Sequence, residues 1–161
     1  MHVGLAMDKA DGITVTGGEP FDQSEALEEL LRGIRTRTTA DILVYSGYPL
    51  ETLRPLLQTM DGLIDCVISD PFDRETAQTQ ALRGSDNQRL QPLTPLGRER
   101  FATFERPLAP GDRSLDVMFD DETGEVFLAG IPSRGDMRRL TAVLAEGGHF
   151  ASTSEDKRSR P

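Results

Sequence analysis

Gly12-Ile13-Thr14-Val15-Thr16-Gly17-Gly18-Glu19-Pro20 is the stretch from which the fold can be read. Its first five residues, 12–16, predict a short buried strand, because β-branched side chains dominate it and an Asp and a Gly stand in front. Gly17 and Gly18 then allow backbone torsions and a close ligand approach that a Cβ blocks. Glu19 puts a carboxylate at the carboxyl end of the strand, and Pro20 stiffens the exit. In open or barrel-like parallel sheets, ligands gather at the carboxyl ends of the strands. The stretch therefore reads as an acidic, glycine-lined ligand shelf that feeds a helix. It is not a dinucleotide fingerprint, because the three-glycine spacing is absent. Taken alone, Gly-Gly-Glu-Pro reads more simply as a tight turn with a solvated glutamate; the weight comes from the rest of the chain.

Downstream of the shelf, Asp22 and Glu25 stand in a capping-box spacing. They predict a helix to about Arg35, with Leu27, Leu30, Leu31 and Ile34 packed on a sheet. Glu28, Glu29, Arg32 and Arg35 then fall on a solvated face. A second strand follows at Ile42-Leu43-Val44-Tyr45 and ends in Ser46-Gly47-Tyr48-Pro49. Leu50, Leu53, Leu56, Leu57 and Met60 mark the next helix, in which Pro55 predicts a break or a restart. The third strand is Ile64 to Ser69, with Cys66 packed as a small hydrophobe. It ends at Asp70-Pro71-Phe72, so Asp70 is a second carboxylate on the same rim as Glu19. Strand-then-helix units in succession imply parallel strands with right-handed crossovers.

Beyond them, residues 73–93 read as a polar loop containing Arg83-Gly84-Ser85-Asp86-Asn87-Gln88-Arg89. Thr94 to Phe101 suggests a short helix and Pro107 to Gly111 a linker. Leu115 to Phe119 and Glu125 to Ala129 predict a hairpin at one end of the sheet, turning at Asp120 to Gly124. A last helix runs from about Gly135 to Glu146, with Met137, Leu140, Val143 and Leu144 inward, and Gly147-Gly148 stops it. The expected layout is one α/β domain over 1–150 and a disordered polar tail over 151–161. Residues 1–10 read as the last turns of a helix whose beginning is missing.

Composition narrows the function. A chain of 161 residues with a net charge of -9 lacks the basic face that nucleic acid requires. No apolar run reaches membrane-spanning length and Met1 to Ala10 lacks a signal-peptide layout, so the expected location is the cytoplasm. One cysteine, Cys66, permits neither an internal disulfide nor a multi-thiolate site. Glu19 and Asp70 could pair on a metal or a hydrolytic water. His2 and His149, however, lie near the two ends and leave that pair without a base.

Four blocks together carry a resemblance: residues 12–21, Val-Tyr-Ser-Gly-Tyr at 44–48, Ile-Asp-Cys-Val-Ile-Ser-Asp-Pro-Phe at 64–72, and 83–89. In this order they resemble the radical S-adenosylmethionine (SAM) activating proteins, in particular the activase of anaerobic ribonucleotide reductase and its 4Fe-4S single-cluster relatives. The resemblance implies an incomplete (β/α) barrel of parallel strands that holds a [4Fe-4S] cluster and SAM, followed here by the hairpin and last helix. It also implies SAM cleavage to a 5′-deoxyadenosyl radical that activates a glycyl-radical partner enzyme. By carry-over Gly17, Gly18, Glu19 and Pro20 hold the methionine part of SAM, with Ser46 and Asp70 as further contacts at the next two strand ends. An ammonium needs acceptors, and strand-end carbonyls with a carboxylate provide them.

One feature departs from the family pattern. The Cys-x-x-x-Cys-x-x-Cys loop that precedes the shelf in the family has no counterpart here, and one thiol cannot hold a cluster. Two expectations follow: an activating protein truncated at its amino terminus and inactive as it stands, or a degenerate, non-enzymatic module that binds SAM or docks a partner. Loss of a βα unit would also leave the first strand with an apolar edge and favour self-association.

Overall fold

The computed structural model describes residues 10–112, 115–119, 126–130 and 135–148. The expected helix end before residue 10, the hairpin turn at 120–124, His2, His149 and the 151–161 tail lie outside the described residues. The chain divides into two compact units, Met1–Leu108 and Ala109–Pro161.

The first unit is an α/β layer structure around a four-stranded sheet in the order β1 (Gly12–Val15), β2 (Asp41–Tyr45), β3 (Cys66–Ser69), β4 (Arg89–Pro92). The first three strands are parallel, with Ile13 opposite Ile42 and Val44 opposite Val67. Helix α1 (Ser24–Arg35) joins β1 to β2, and α2 (Leu50–Thr59) joins β2 to β3. Alternation along the strands divides the core between two faces. Ile42, Val44 and Val67 pack with Leu27, Leu31, Ile34, Leu50 and Leu53 of α1 and α2. Leu43, Cys66 and Ile68 point the other way and meet Leu90 and Phe101, the latter from α3 (Pro95–Phe101). Leu31 and Leu53 are fully buried; each such side chain stabilises the fold by about 1.5–3 kcal/mol.

Several expectations change. β1 is an edge strand with Gly12 and Thr14 exposed, not a buried one, because among the described residues it pairs with β2 alone and packs one face. The capping box does not form: a 3₁₀ turn, Pro20–Gln23, precedes α1, and α1 begins without a side-chain cap. Leu30 lies at the margin of the apolar stripe and is 50% exposed. Pro55 neither breaks nor restarts α2, which is continuous. The missing N–H and ring clash cost about 3 kcal/mol, and burial of Leu50 and Leu53 before it and Met60 after it offsets that. The polar 73–93 segment ends in a strand, β4, antiparallel to β3; only Leu90 in it is buried, so its pattern is faint.

Arg35 is not on a solvated face. Its Nη2 donates to Asp65 Oδ2 (2.5 Å) and to the Leu63 carbonyl (3.0 Å). Asp65 is 3% exposed. Its Oδ2 also accepts from the Ile42 N–H (2.8 Å), and Oδ1 accepts from the Thr94 hydroxyl (2.5 Å). Thr94 in turn caps α3 by accepting from the Gly97 N–H (3.0 Å). One carboxylate thus joins the end of α1, the start of β2 and the start of α3.

In the second unit, β5 (Leu115–Phe119) and β6 (Val126–Gly130) pair antiparallel, with Val117 opposite Leu128. Among the described residues they form a two-stranded sheet of their own. Helix α4 (Asp136–Glu146) ends at Gly147 as expected. Val143, expected inward, is 64% exposed, while Met137, Leu140 and Leu144 are half-buried.

Asp65→Ala is expected to lower unfolding free energy by about 3 kcal/mol or more, because it strands a half-buried guanidinium and a buried N–H; urea titration of the variant reads this directly. Gly97→Ala is expected to destabilise as well, since its Cβ would stand 1.9 Å from the Asp65 carbonyl oxygen.

Candidate functional site

The carboxyl ends of β1, β2 and β3 form one rim. After β1 the chain turns through Gly17 (φ +95°) and Gly18 (φ +40°), both in the left-handed region. L side chains avoid that region, so the turn itself requires glycine. Both residues are exposed, and among the described residues no atom beyond their chain neighbours lies within 4 Å of where a Cβ would sit on either. Among the described residues the space over this backbone is open.

Glu19 is strapped across the rim. Its Oε1 accepts from the Phe21 N–H (3.2 Å) and the Ser46 hydroxyl (2.8 Å), and its Oε2 accepts from the Gly47 N–H (2.7 Å). It caps the 3₁₀ turn that Pro20 opens, and buried Phe21 anchors that turn in the core. Ser46 is buried; its N–H donates to the Ile68 carbonyl (2.9 Å) and its Oγ accepts from the Tyr48 N–H (3.1 Å). The structure therefore brings Glu19 and Ser46 into direct contact, as strand ends on one rim permit.

Asp70 lies on the same rim, with its carboxylate committed elsewhere. Arg89 grips it with Nε to Oδ2 (2.7 Å) and Nη2 to Oδ1 (2.8 Å), and Ser69 Oγ adds a bond to Oδ2 (2.9 Å). The other edge of the same guanidinium holds Glu51 (2.7 and 2.8 Å). Hydrogen bonds from Arg89 hold the Asp70 carboxyl below its usual range and take Glu51 down to about 2, while the two carboxylates raise the Arg89 pKa. Asp70 itself has φ +80°, uncommon for a residue with a side chain.

The 83–89 block is the buttress of that turn. Gln88 Nε2 donates to the Asp70 carbonyl (3.1 Å), and Asn87 Nδ2 donates to the Pro71 carbonyl (2.8 Å). Gln88 Oε1 accepts from the Gly84 N–H (2.8 Å), and buried Ser85 accepts from the Asp73 N–H (3.0 Å). Buried Arg83 pairs with Glu105 (2.6 Å).

Reasoning from sequence missed Tyr48 and Arg89. Tyr48 stands in the quoted Tyr-Ser-Gly-Tyr block, where an aromatic at a strand end was a usable sign. Arg89 gave none, because its partners are 19 and 38 residues away. Cys66 is a structural thiol, fully buried in β3, and burial pushes it up to about 12. Among the described residues no cluster of three His, Cys, Asp or Glu is placed to hold a metal ion, and no helix is long and apolar enough to cross a membrane.

The Arg89 clamp has a pH signature. Asp70 has a depressed folded pKa, so it adds stability above the unfolded carboxylate range, near pH 4. That stability is lost as pH falls through the depressed folded value. Arg89→Met is expected to lower the urea midpoint at pH 6, with the gap to the parent narrowing steadily toward pH 2. A gap of constant size across that range would show that the carboxylates are not the partners that matter.

Residues 3–91 match the family described as 4Fe-4S single cluster domain. An 89-residue stretch is 30% identical to the anaerobic ribonucleoside-triphosphate reductase-activating protein of Enterobacteria phage T4, covering 53% of this chain and 56% of that protein. The chain thus spans about half the length of the curated relative it matches. No solved structure matches. With the family match covering more than half of its 161 residues, this chain belongs to the 4Fe-4S single cluster domain family.

Proposed function

We propose that the rim binds S-adenosylmethionine and that the chain is the SAM-binding part of an activating protein for a glycyl-radical enzyme of the anaerobic ribonucleotide reductase kind. The observation that carries this reading is the open Gly17-Gly18 backbone, held in the left-handed region beside a carboxylate fixed by Ser46 and Gly47. In this reading the carbonyls of Gly17 and Gly18 and the edge of Glu19 accept from the ligand's ammonium, and Pro20 keeps the turn rigid. Ser46 fixes Glu19, and Asp70 acts through the turn it carries at the end of β3. The three parallel strands, with α1 and α2 on their outer face, are the arc of an incomplete (β/α) barrel that these residues supply. The relative's name, an activating protein of an anaerobic reductase, supports the choice of partner.

The group's chemistry is that of a carbon–sulfur bond activated at a sulfonium; this chain's residues bind and orient it. The iron-sulfur cluster does not fit residues 1–161. Cluster ligation needs several thiolates, and the chain has one cysteine, buried and held as a thiol. No redox step is therefore assigned to these residues alone. The same observation favours a second reading, a SAM-binding or partner-docking module without its own catalysis.

Calorimetric titration of the folded chain with SAM tests the proposal. The parent is expected to bind. Gly17→Val, which forces a β-branched residue to φ +95°, and Glu19→Gln are each expected to weaken binding about tenfold or more, with circular dichroism as the folding control. A folded parent that gives no binding isotherm sinks the reading. Incubation with iron and sulfide is expected to leave the chain without visible cluster absorption, and Cys66→Ser to leave SAM binding unchanged.

A further inference from the structure

Tyr48 ties three strand ends together and stays exposed. Its N–H donates to Ser46 Oγ (3.1 Å) at the exit of β2. Its carbonyl accepts from the Asp70 N–H (2.8 Å) at the exit of β3. Its hydroxyl donates to Asp22 Oδ1 (2.5 Å) in the turn that follows β1. With every polar group engaged in a hydrogen bond, the residue is still 37% exposed, and its ring is the part left without a polar partner. A ring fixed at both ends loses little further freedom when a ligand covers it. The bond to the Asp22 carboxylate and that carboxylate's charge raise the hydroxyl's pKa. A phenol donating to a carboxylate is electron-rich, and an electron-rich face attracts cations. Among the described residues the cation–π contact lies elsewhere, Arg106 over Phe104 at 5.8 Å, and none of them sets a cation on the Tyr48 face.

We propose that Tyr48 is a specificity-determining residue whose ring reads the positive charge of the ligand's sulfonium, so that the rim prefers SAM to its neutral thioether, S-adenosylhomocysteine. This rests on the reading that the rim binds SAM. The two ligands share nucleoside, carboxylate and ammonium and differ by one methyl group and its charge. A residue with a merely structural role therefore weakens both by the same factor. A residue that reads the charge weakens SAM alone.

The test is calorimetric titration of the full chain with each ligand, for the parent, Tyr48→Phe, Tyr48→Leu and Asp22→Asn, with a melting curve for each. The parent is expected to prefer SAM. Tyr48→Leu is expected to lose about fivefold in SAM affinity, with S-adenosylhomocysteine little changed. Tyr48→Phe keeps the ring and most of the preference. Asp22→Asn leaves the ring and weakens its tether, so the preference falls by a smaller factor; should the leucine variant fail to fold, an undiminished preference in this variant overturns the proposal. Equal losses for both ligands, or unchanged SAM binding in Tyr48→Leu, also overturn it and leave the SAM reading standing. A folded parent that binds neither ligand removes both.

Discussion

The buried Asp65 carboxylate is the constraint on which the first unit depends. Its two oxygens accept from Arg35 at the end of α1, Ile42 at the start of β2 and Thr94 at the cap of α3. A buried charge that loses a partner is costly, so these elements hold one arrangement together. The Asp65 N–H also donates to the Ile42 carbonyl (2.9 Å), and its carbonyl accepts from Leu93 (2.8 Å), which sets β3 against both neighbours. Gly97 permits the closeness: α3 passes so near the Asp65 carbonyl that no side chain fits between them. The helix that covers the second face of the sheet is thereby fixed to the same point.

Register set at the amino end decides what meets at the carboxyl end. With Leu43 opposite Cys66 and Thr14 opposite Leu43, the exits of the three parallel strands come level. Glu19 can then reach Ser46, and Tyr48 can reach both Asp22 and Asp70. The two ends differ in chemistry. At the amino end the carboxylate is matched by an arginine and enclosed. At the carboxyl end Asp70 is clamped by Arg89, but Glu19 and Asp22 are held by neutral donors, and no ion pair among the described residues neutralises either. A parallel sheet that is closed below and open, acidic and glycine-lined above is arranged as ligand-binding α/β sheets are.

Much of this was legible in the sequence, for a physical reason. β2, β3 and α1 carry strong local patterns because one stripe or both strand faces are buried, so Leu27, Leu31, Ile42 and Val67 announce themselves. The glycine turn at 17–18 was legible because positive φ leaves glycine as the favoured residue. What failed was non-local. β4 has one buried side chain in four and owes its existence to pairing with β3. Arg35 looked like any helix-surface arginine until Asp65, 30 residues on, met it. Asp22 had the spacing of a cap, yet Glu19 took the capping role and left Asp22 for Tyr48. Arg89, the partner that explains Asp70, sat in a segment whose composition reads as solvated loop.

Membership of a 4Fe-4S family and the chemistry of Cys66 pull apart, and the physics separates cluster ligation from the ligand binding proposed for the rim. Cluster ligation requires thiolates that reach iron. Cys66 sits inside β3 with no exposed surface, and desolvation keeps its proton on. Ligand capture on the rim has no such requirement. In the proposed reading it would draw on backbone carbonyls at a left-handed turn, a carboxylate oriented by Ser46 and Gly47, and an aromatic ring pinned by Asp22. None of these contacts passes through Cys66, and the core around that thiol is continuous with Leu43, Ile68 and Phe101 on the opposite side from α1 and α2. On the proposed reading, binding is therefore separable from redox chemistry: the groups that would hold the ligand are assembled by the sheet itself, whatever becomes of the iron.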